Sequence, residues 1–154
     1  MGTDIHLYVE RKTATGWERV RPVPRPCPEC EGSGRFGRGA CYECGGEGKT
    51  TKEYRDRNYS LFAILADVRN DYGLIPIAKP RGLPDDTSIH DTDDGHSAPG
   101  HVWLGEHSFS HATLAELLAY DYREVVDQEW FDFLEACRPL GDPENVRLVW
   151  GFDS

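Results

Sequence analysis

Polar and apolar residues alternate strictly over the stretch DIHLYVERK, with Ile5, Leu7 and Val9 facing one way and Asp4, His6, Tyr8 and Glu10 the other. A period of two predicts a strand with one polar face. Gly16 marks a turn, and WERVRPV predicts a second strand, so the two form a hairpin. The prolines of RPVPRP then stop the ladder, because proline has no N–H to donate. In NYSLFAILADVRN the period changes. Phe62, Leu65 and Ala66 fall on one helical stripe behind Asn58 as N-cap, and Arg69 continues that stripe inward. Residues 80 to 110 lack periodicity and are rich in Asp, Gly, His, Pro and Ser, which predicts a long loop, of the kind that is either functional or disordered. Thr113 and Glu116 form a capping box for a helix through Leu114, Leu117 and Leu118, and Asp121 with Glu124 predicts the same for the next. There Val126, Trp130, Phe133, Leu134 and Cys137 recur at helical spacing, making Cys137 a buried, inert thiol, and Pro139-Leu140-Gly141 ends the helix. NVRLVWGF predicts a closing strand with Val146, Leu148, Trp150 and Phe152 on one face.

Together these elements predict an α+β fold for residues 1–154. A small, mainly antiparallel sheet includes the first and last strands, two or three helices pack on it, and residues 25–50 form an insertion. That insertion holds one phrase twice, CPECEGSG and CYECGGEG. A Cys-x-x-Cys turn brings two thiolates to one side of an ion, and two such turns complete a tetrahedron, so Cys27, Cys30, Cys41 and Cys44 are the candidate ligands of a zinc ion. Gly32, Gly34, Gly46 and Gly48 suit turns that fold sharply back toward the sulfurs. Four thiolates leave no open position, which favours a structural staple over a catalytic metal. The segment resembles half of the cysteine-rich region of DnaJ-type co-chaperones, whose repeats read C-x-x-C-x-G-x-G, and the resemblance implies the same four zinc ligands. The chain has no His-Pro-Asp tripeptide and two repeats rather than four, so no J-protein activity is inferred.

Charge narrows the function. A net charge of −10 argues against wrapping duplex nucleic acid, and no stretch approaches the ~18 apolar residues of a membrane span. The opening residues lack the apolar run of a secretory signal, which points to the cytoplasm, where clustered cysteines bind metal more often than they form disulfides. The acidity is uneven: residues 111–154 carry ten acids and three arginines, whereas residues 52–81 carry six basic residues and four acids. Arg57, Arg69, Lys79 and Arg81 could therefore hold a small, nucleotide-like anion near Asp4 and His6, or else form ordinary surface ion pairs.

The polar face of the first strand also has two readings. It is the wet side of a sheet, or it joins His90, His96, His101, His107 and His111 and the loop aspartates in a site of carboxylates and imidazoles. The Asp4-x-His6 pair resembles the opening motif of binuclear metallophosphoesterases, although that family's Gly-Asn-His-Glu segment is missing. This supports a phosphoesterase or nuclease as the alternative function. The segments MGTDIH, RNYSLFAILADVRN, PRGLP, DGHS and TLAEL resemble an uncharacterised family of bacteriophage proteins. That resemblance implies a viral accessory protein, active in the host cytoplasm, and transfers no catalytic residues. The expected function is a binder, holding a small anionic ligand or a host protein to counter host defence. The candidate ligand-binding residues are Asp4, His6, Arg57, Arg69, Arg81, His96 and His111. No oligomeric state follows from the pattern.

Overall fold

The computed structural model describes residues 2–91 and 101–154. Along the chain run β1 (Asp4–Thr13), β2 (Gly16–Val20), α1 (Tyr59–Ala66), β3 (His107–Thr113), α2 (Leu114–Ala119), α3 (Gln128–Cys137) and β4 (Val146–Asp153). The strands form one antiparallel sheet in the order β2-β1-β4-β3. This is an α+β fold in which the first and last strands lie side by side at its centre, with Asp4 opposite Asp153 and Glu10 opposite Arg147.

One face of the sheet carries the main core. Ile5, Leu7 and Val9 of β1 and Val146, Leu148, Trp150 and Phe152 of β4 pack against Leu61, Phe62 and Leu65 of α1 and Trp130, Phe133 and Leu134 of α3. Side chains at alternate positions meet the helices because a strand shows every second residue to one side. Asn58 caps α1 by accepting the Leu61 N–H at 3.1 Å, and Thr113 and Glu116 form the complete capping box of α2. All six residues from Leu61 to Ala66 are buried, so α1 is a core helix rather than one with a single apolar stripe.

Three expectations are corrected. First, α1 stops at Ala66, because Asp67 turns left-handed (φ 57°) and folds its N–H back to the Ala63 carbonyl. Arg69 therefore lies beyond the helix, itself left-handed at φ 53°. Second, Asp121 and Glu124 start no helix. Arg123 and Glu124 both have positive φ, and α3 begins after Asp127, whose carboxylate accepts the Asn58 amide at 3.0 Å and makes no side-chain cap.

Third, the far face of the sheet is not uniformly wet. Ile89, Leu104 and Val149 are buried there, with Tyr8, Leu83, Val102 and Phe109 around them, so residues 83–89 and 102–109 form a second, smaller core against the sheet. The carbonyl of Leu104 lies so close over Gly151 that a Cβ there would sit 2.0 Å from it, which only glycine permits. β4 is consequently covered on both faces, and every residue from Val146 to Phe152 is buried. Glu10 is also fully buried on this side, where the Arg147 Nε donates to it at 2.8 Å and the backbone N–H and hydroxyl of Ser88 donate at 2.6 Å each. Arg147 lies 3.9 Å above the Trp17 ring and donates to Asp86 at 2.9 Å.

The cysteine segment leaves and rejoins the sheet and helices through a two-residue antiparallel ladder, Arg25 opposite Thr50 and Pro26 opposite Lys49. Its root is fastened to α3. The Val23 N–H donates to the Ala136 carbonyl at 3.0 Å, and the Arg25 guanidinium lies 4.9 Å over the Phe133 ring while donating to the Lys52 carbonyl at 2.7 Å.

Candidate metal centre and polar face

The two cysteine turns are near copies of one another. Gly34 N–H donates to the Cys30 Sγ and Gly48 N–H to the Cys44 Sγ, both at 3.2 Å. Cys41 N–H donates to the Gly34 carbonyl and Cys27 N–H to the Gly48 carbonyl, both at 2.9 Å. Each turn thus closes on the other by the same pair of contacts. A Cβ at Gly34 would meet the Gly46 carbonyl at 2.4 Å, and one at Gly48 would meet the Gly32 carbonyl at 2.5 Å. Both glycines have positive φ, 74° and 75°, so close approach and left-handed backbone together require glycine.

This packing brings the four sulfurs within 4.8 Å of one another. The Cys30 and Cys44 sulfurs are 3.8 Å apart, which is the edge of a tetrahedron with metal–sulfur bonds of about 2.3 Å. All five cysteines are free. Cys27 and Cys41 are wholly buried, and desolvation pushes the Cys27 thiol up to about 11. Burial opposes ionisation at Cys30 too, but the Gly34 N–H and the neighbouring sulfurs bring it down to about 7. A thiolate with a backbone donor already aimed at it is the form a metal requires. The four cysteines therefore lie at metal-binding distance, with the chemistry of a closed tetrahedral site. Cys137 stands apart in the main core, its thiol pushed up to about 12 by burial.

The remaining candidate residues separate into two places. At the start of β1, Asp4 receives a two-pronged contact from Arg57, with bonds of 2.8 to 3.0 Å. His6 bonds Asp153 through Nε2 and lies 4.7 Å from the Trp103 ring. Arg69 donates from Nε to the Thr3 hydroxyl at 2.9 Å and lies 5.5 Å over Tyr59, and Thr3 in turn meets the Ser154 hydroxyl at 3.0 Å. The fold thus brings Asp4, His6, Arg57 and Arg69 to one end of the sheet. At the other place, Arg81 makes a two-pronged pair with Glu116 at 2.9 and 2.6 Å, and His111 bonds the Gly82 carbonyl at 3.0 Å. Arg81 holds the Glu116 carboxyl down at about 2. His96 lies outside the described residues.

Sequence reasoning missed Asp153 and Trp103 as partners of His6, and the buried Glu10–Arg147 pair. Pairing the first strand antiparallel with the last would have found Asp153, since that register sets acid against acid at the strand ends. It also missed a seam between the cysteine module and α3, a cleft of about 320 Å³ lined by Arg25, Glu43, Lys52, Asp56 and Glu129. Burial first, and then Asp56 close by, pushes the Glu129 carboxyl up to about 7.

The geometry defines an α+β protein with a four-cysteine metal-type centre, and among the described residues no other group of three or more metal-ligating side chains converges. No helix among them is long and apolar enough to cross a membrane. Compared with known proteins, the chain matches no family model, no curated protein and no solved structure.

Proposed function

We propose that the chain is an accessory protein of the bacteriophage type it resembles, that it binds rather than catalyses, and that a zinc ion held by Cys27, Cys30, Cys41 and Cys44 staples the module at residues 25–50. Of the two ligands raised by the sequence, a host protein is favoured over a small anion. One observation carries this preference: three of the four cations offered for an anion are already engaged, Arg57 by Asp4 and Arg81 by Glu116 in two-pronged pairs, and Arg69 by Thr3. An anion entering at Arg57 or Arg81 would have to displace a carboxylate and then sit beside it. The phosphoesterase alternative loses support for the same reason, because Asp4 turns to Arg57 and His6 to Asp153 rather than toward one shared ion.

The test is mass spectrometry of the purified protein, native and then denatured. One zinc per chain and no nucleotide-sized mass is the expected result. Absence of zinc, or a stoichiometric small anion released on denaturation, would overturn the corresponding half of the proposal. Turnover of a phosphodiester that stops with chelator would restore the enzyme.

A further inference from the structure

The tip of the cysteine module is built unlike the rest of the surface. Residues 32–42 contain no acid in a chain of net charge −10. Arg35 lies in a two-residue ladder, opposite Ala40, with Phe36 opposite Gly39, and Arg38 stands in the turn that joins the two strands. Among the described residues the Arg35 and Arg38 guanidinium groups have no hydrogen-bond or ion-pair partner, whereas every other arginine is engaged by a carboxylate, a hydroxyl or a backbone carbonyl. Beside them stand two of the most exposed large rings, Phe36 at 53% and Tyr42 at 70%. The rings meet edge to face, 5.6 Å between centroids, and the Tyr42 hydroxyl donates to Glu29 at 2.6 Å, which fixes that ring in place.

We propose that this tip is a docking site for single-stranded nucleic acid, with Arg35 and Arg38 on phosphates and the faces of Phe36 and Tyr42 under bases. The inference rests on the reading of the module as stapled by zinc. Free guanidinium groups beside exposed rings supply the two interactions such strands need, charge along the backbone and stacking that tolerates any base. At the tip itself a protein partner fits less well. Beyond the two rings and two arginines the segment is only glycine, serine, alanine and a buried cysteine, and it cannot offer the ~800 Å² per side of a standard protein interface. Duplex fits less well, because the chain carries a net charge of −10 and Glu31 and Glu43 flank the tip.

The experiment uses the full zinc-loaded chain and fluorescein-labelled dT12 and rU12, read by anisotropy. Phe36→Leu, which keeps bulk and removes the ring, should weaken binding by roughly fivefold to a hundredfold. With two phosphate contacts the affinity should fall about sevenfold between 50 and 200 mM salt, and Arg35→Gln/Arg38→Gln should remove most of that dependence. Tyr42→Phe, which keeps the ring, should bind close to wild type. Zinc content is measured for every variant. Wild-type protein that carries zinc and ignores both oligonucleotides would overturn this inference alone, whereas wild-type protein without zinc would overturn the reading beneath it. A Phe36→Leu variant that binds as well as wild type, equal affinity for a duplex, or equal Arg-dependent affinity for a 12-residue polyglutamate would also overturn it.

Discussion

The cysteine module and the sheet-and-helix body bury their interiors with different chemistry. The body encloses Trp130, Trp150, Phe62, Phe133, Phe152 and a dozen aliphatic side chains. The module's only buried cluster is Cys27, Cys30 and Cys41, with Cys44 against it. Its backbone order comes from two ladders of two residues each and from the mutual closure of the cysteine turns. A segment that size cannot remove enough apolar surface from water to offset its conformational entropy. The body is held by the hydrophobic effect, and the module needs its ligands joined.

The largest expected effect therefore comes from taking the metal away. Structural zinc sites contribute roughly 10–16 kcal/mol of apparent binding free energy, far more than two short ladders provide. Chelation, or Cys41→Ser, should open residues 27–48 to proteolysis while α3 and the sheet still melt cooperatively. Continued protection of the module without metal would break the comparison.

In the body the corresponding blow is to a buried charge. Glu10 is fully buried with Arg147 only 6% exposed, so Glu10→Ala leaves a buried cation with only the more exposed Asp86 as its carboxylate partner. The expected loss is about 3–5 kcal/mol in denaturant unfolding, with zinc content unchanged. A loss below about 1 kcal/mol would mean that water or Asp86 takes over the guanidinium.

That pair also shows where the sequence was legible. Local periodicity revealed β1, its hairpin, the Asn58 cap and the Thr113–Glu116 capping box, because each is set by a pattern within one short stretch of chain. The paired Cys-x-x-Cys turns were legible for the same reason, their spacing being a local property. Glu10 was assigned to a polar face by alternation, and it does point that way. What alternation could not show is that Ser88 and Arg147, 78 and 137 residues away, would close over it. Arg69 failed differently: the helical stripe ran on in the pattern, but the Asp67 turn ended the helix first. The candidate anion site scattered because cation supply is visible in a sequence and cation pairing is not.

A finer test lies within the module. Gly34 and Gly37 both have positive φ, 74° and 63°, but a Cβ at Gly34 would strike the Gly46 carbonyl while one at Gly37 meets nothing within 4 Å. Gly37→Ala should lose only the left-handed penalty of about 1–2 kcal/mol. Gly34→Ala adds the clash that separates the two turns and should weaken zinc retention against a competing chelator by at least a further tenfold. Equal behaviour of the two variants would show that the turns do not brace each other.

The smallest effect falls on the seam where the two regions meet. Glu129, on the first turn of α3, is pushed up to about 7 by burial, then by Asp56 and Asp127 and Asp132 nearby, with Arg25 opposing. A carboxyl whose folded value lies above its unfolded one binds its proton more tightly when folded. Its contribution to stability is thus present below about 4.5 and is lost as the pH rises through about 7. Glu129→Gln keeps the shape and removes the charge, so the variant should melt a few degrees above wild type at pH 8 and alongside it at pH 4.5. Because the carboxyl belongs to α3 and not to the four-thiolate site, zinc content at pH 8 should be the same in both proteins. If the substitution instead changes zinc retention, the module and the body are coupled through this cleft, and the division between a metal-held region and a hydrophobically held one does not extend to their shared boundary.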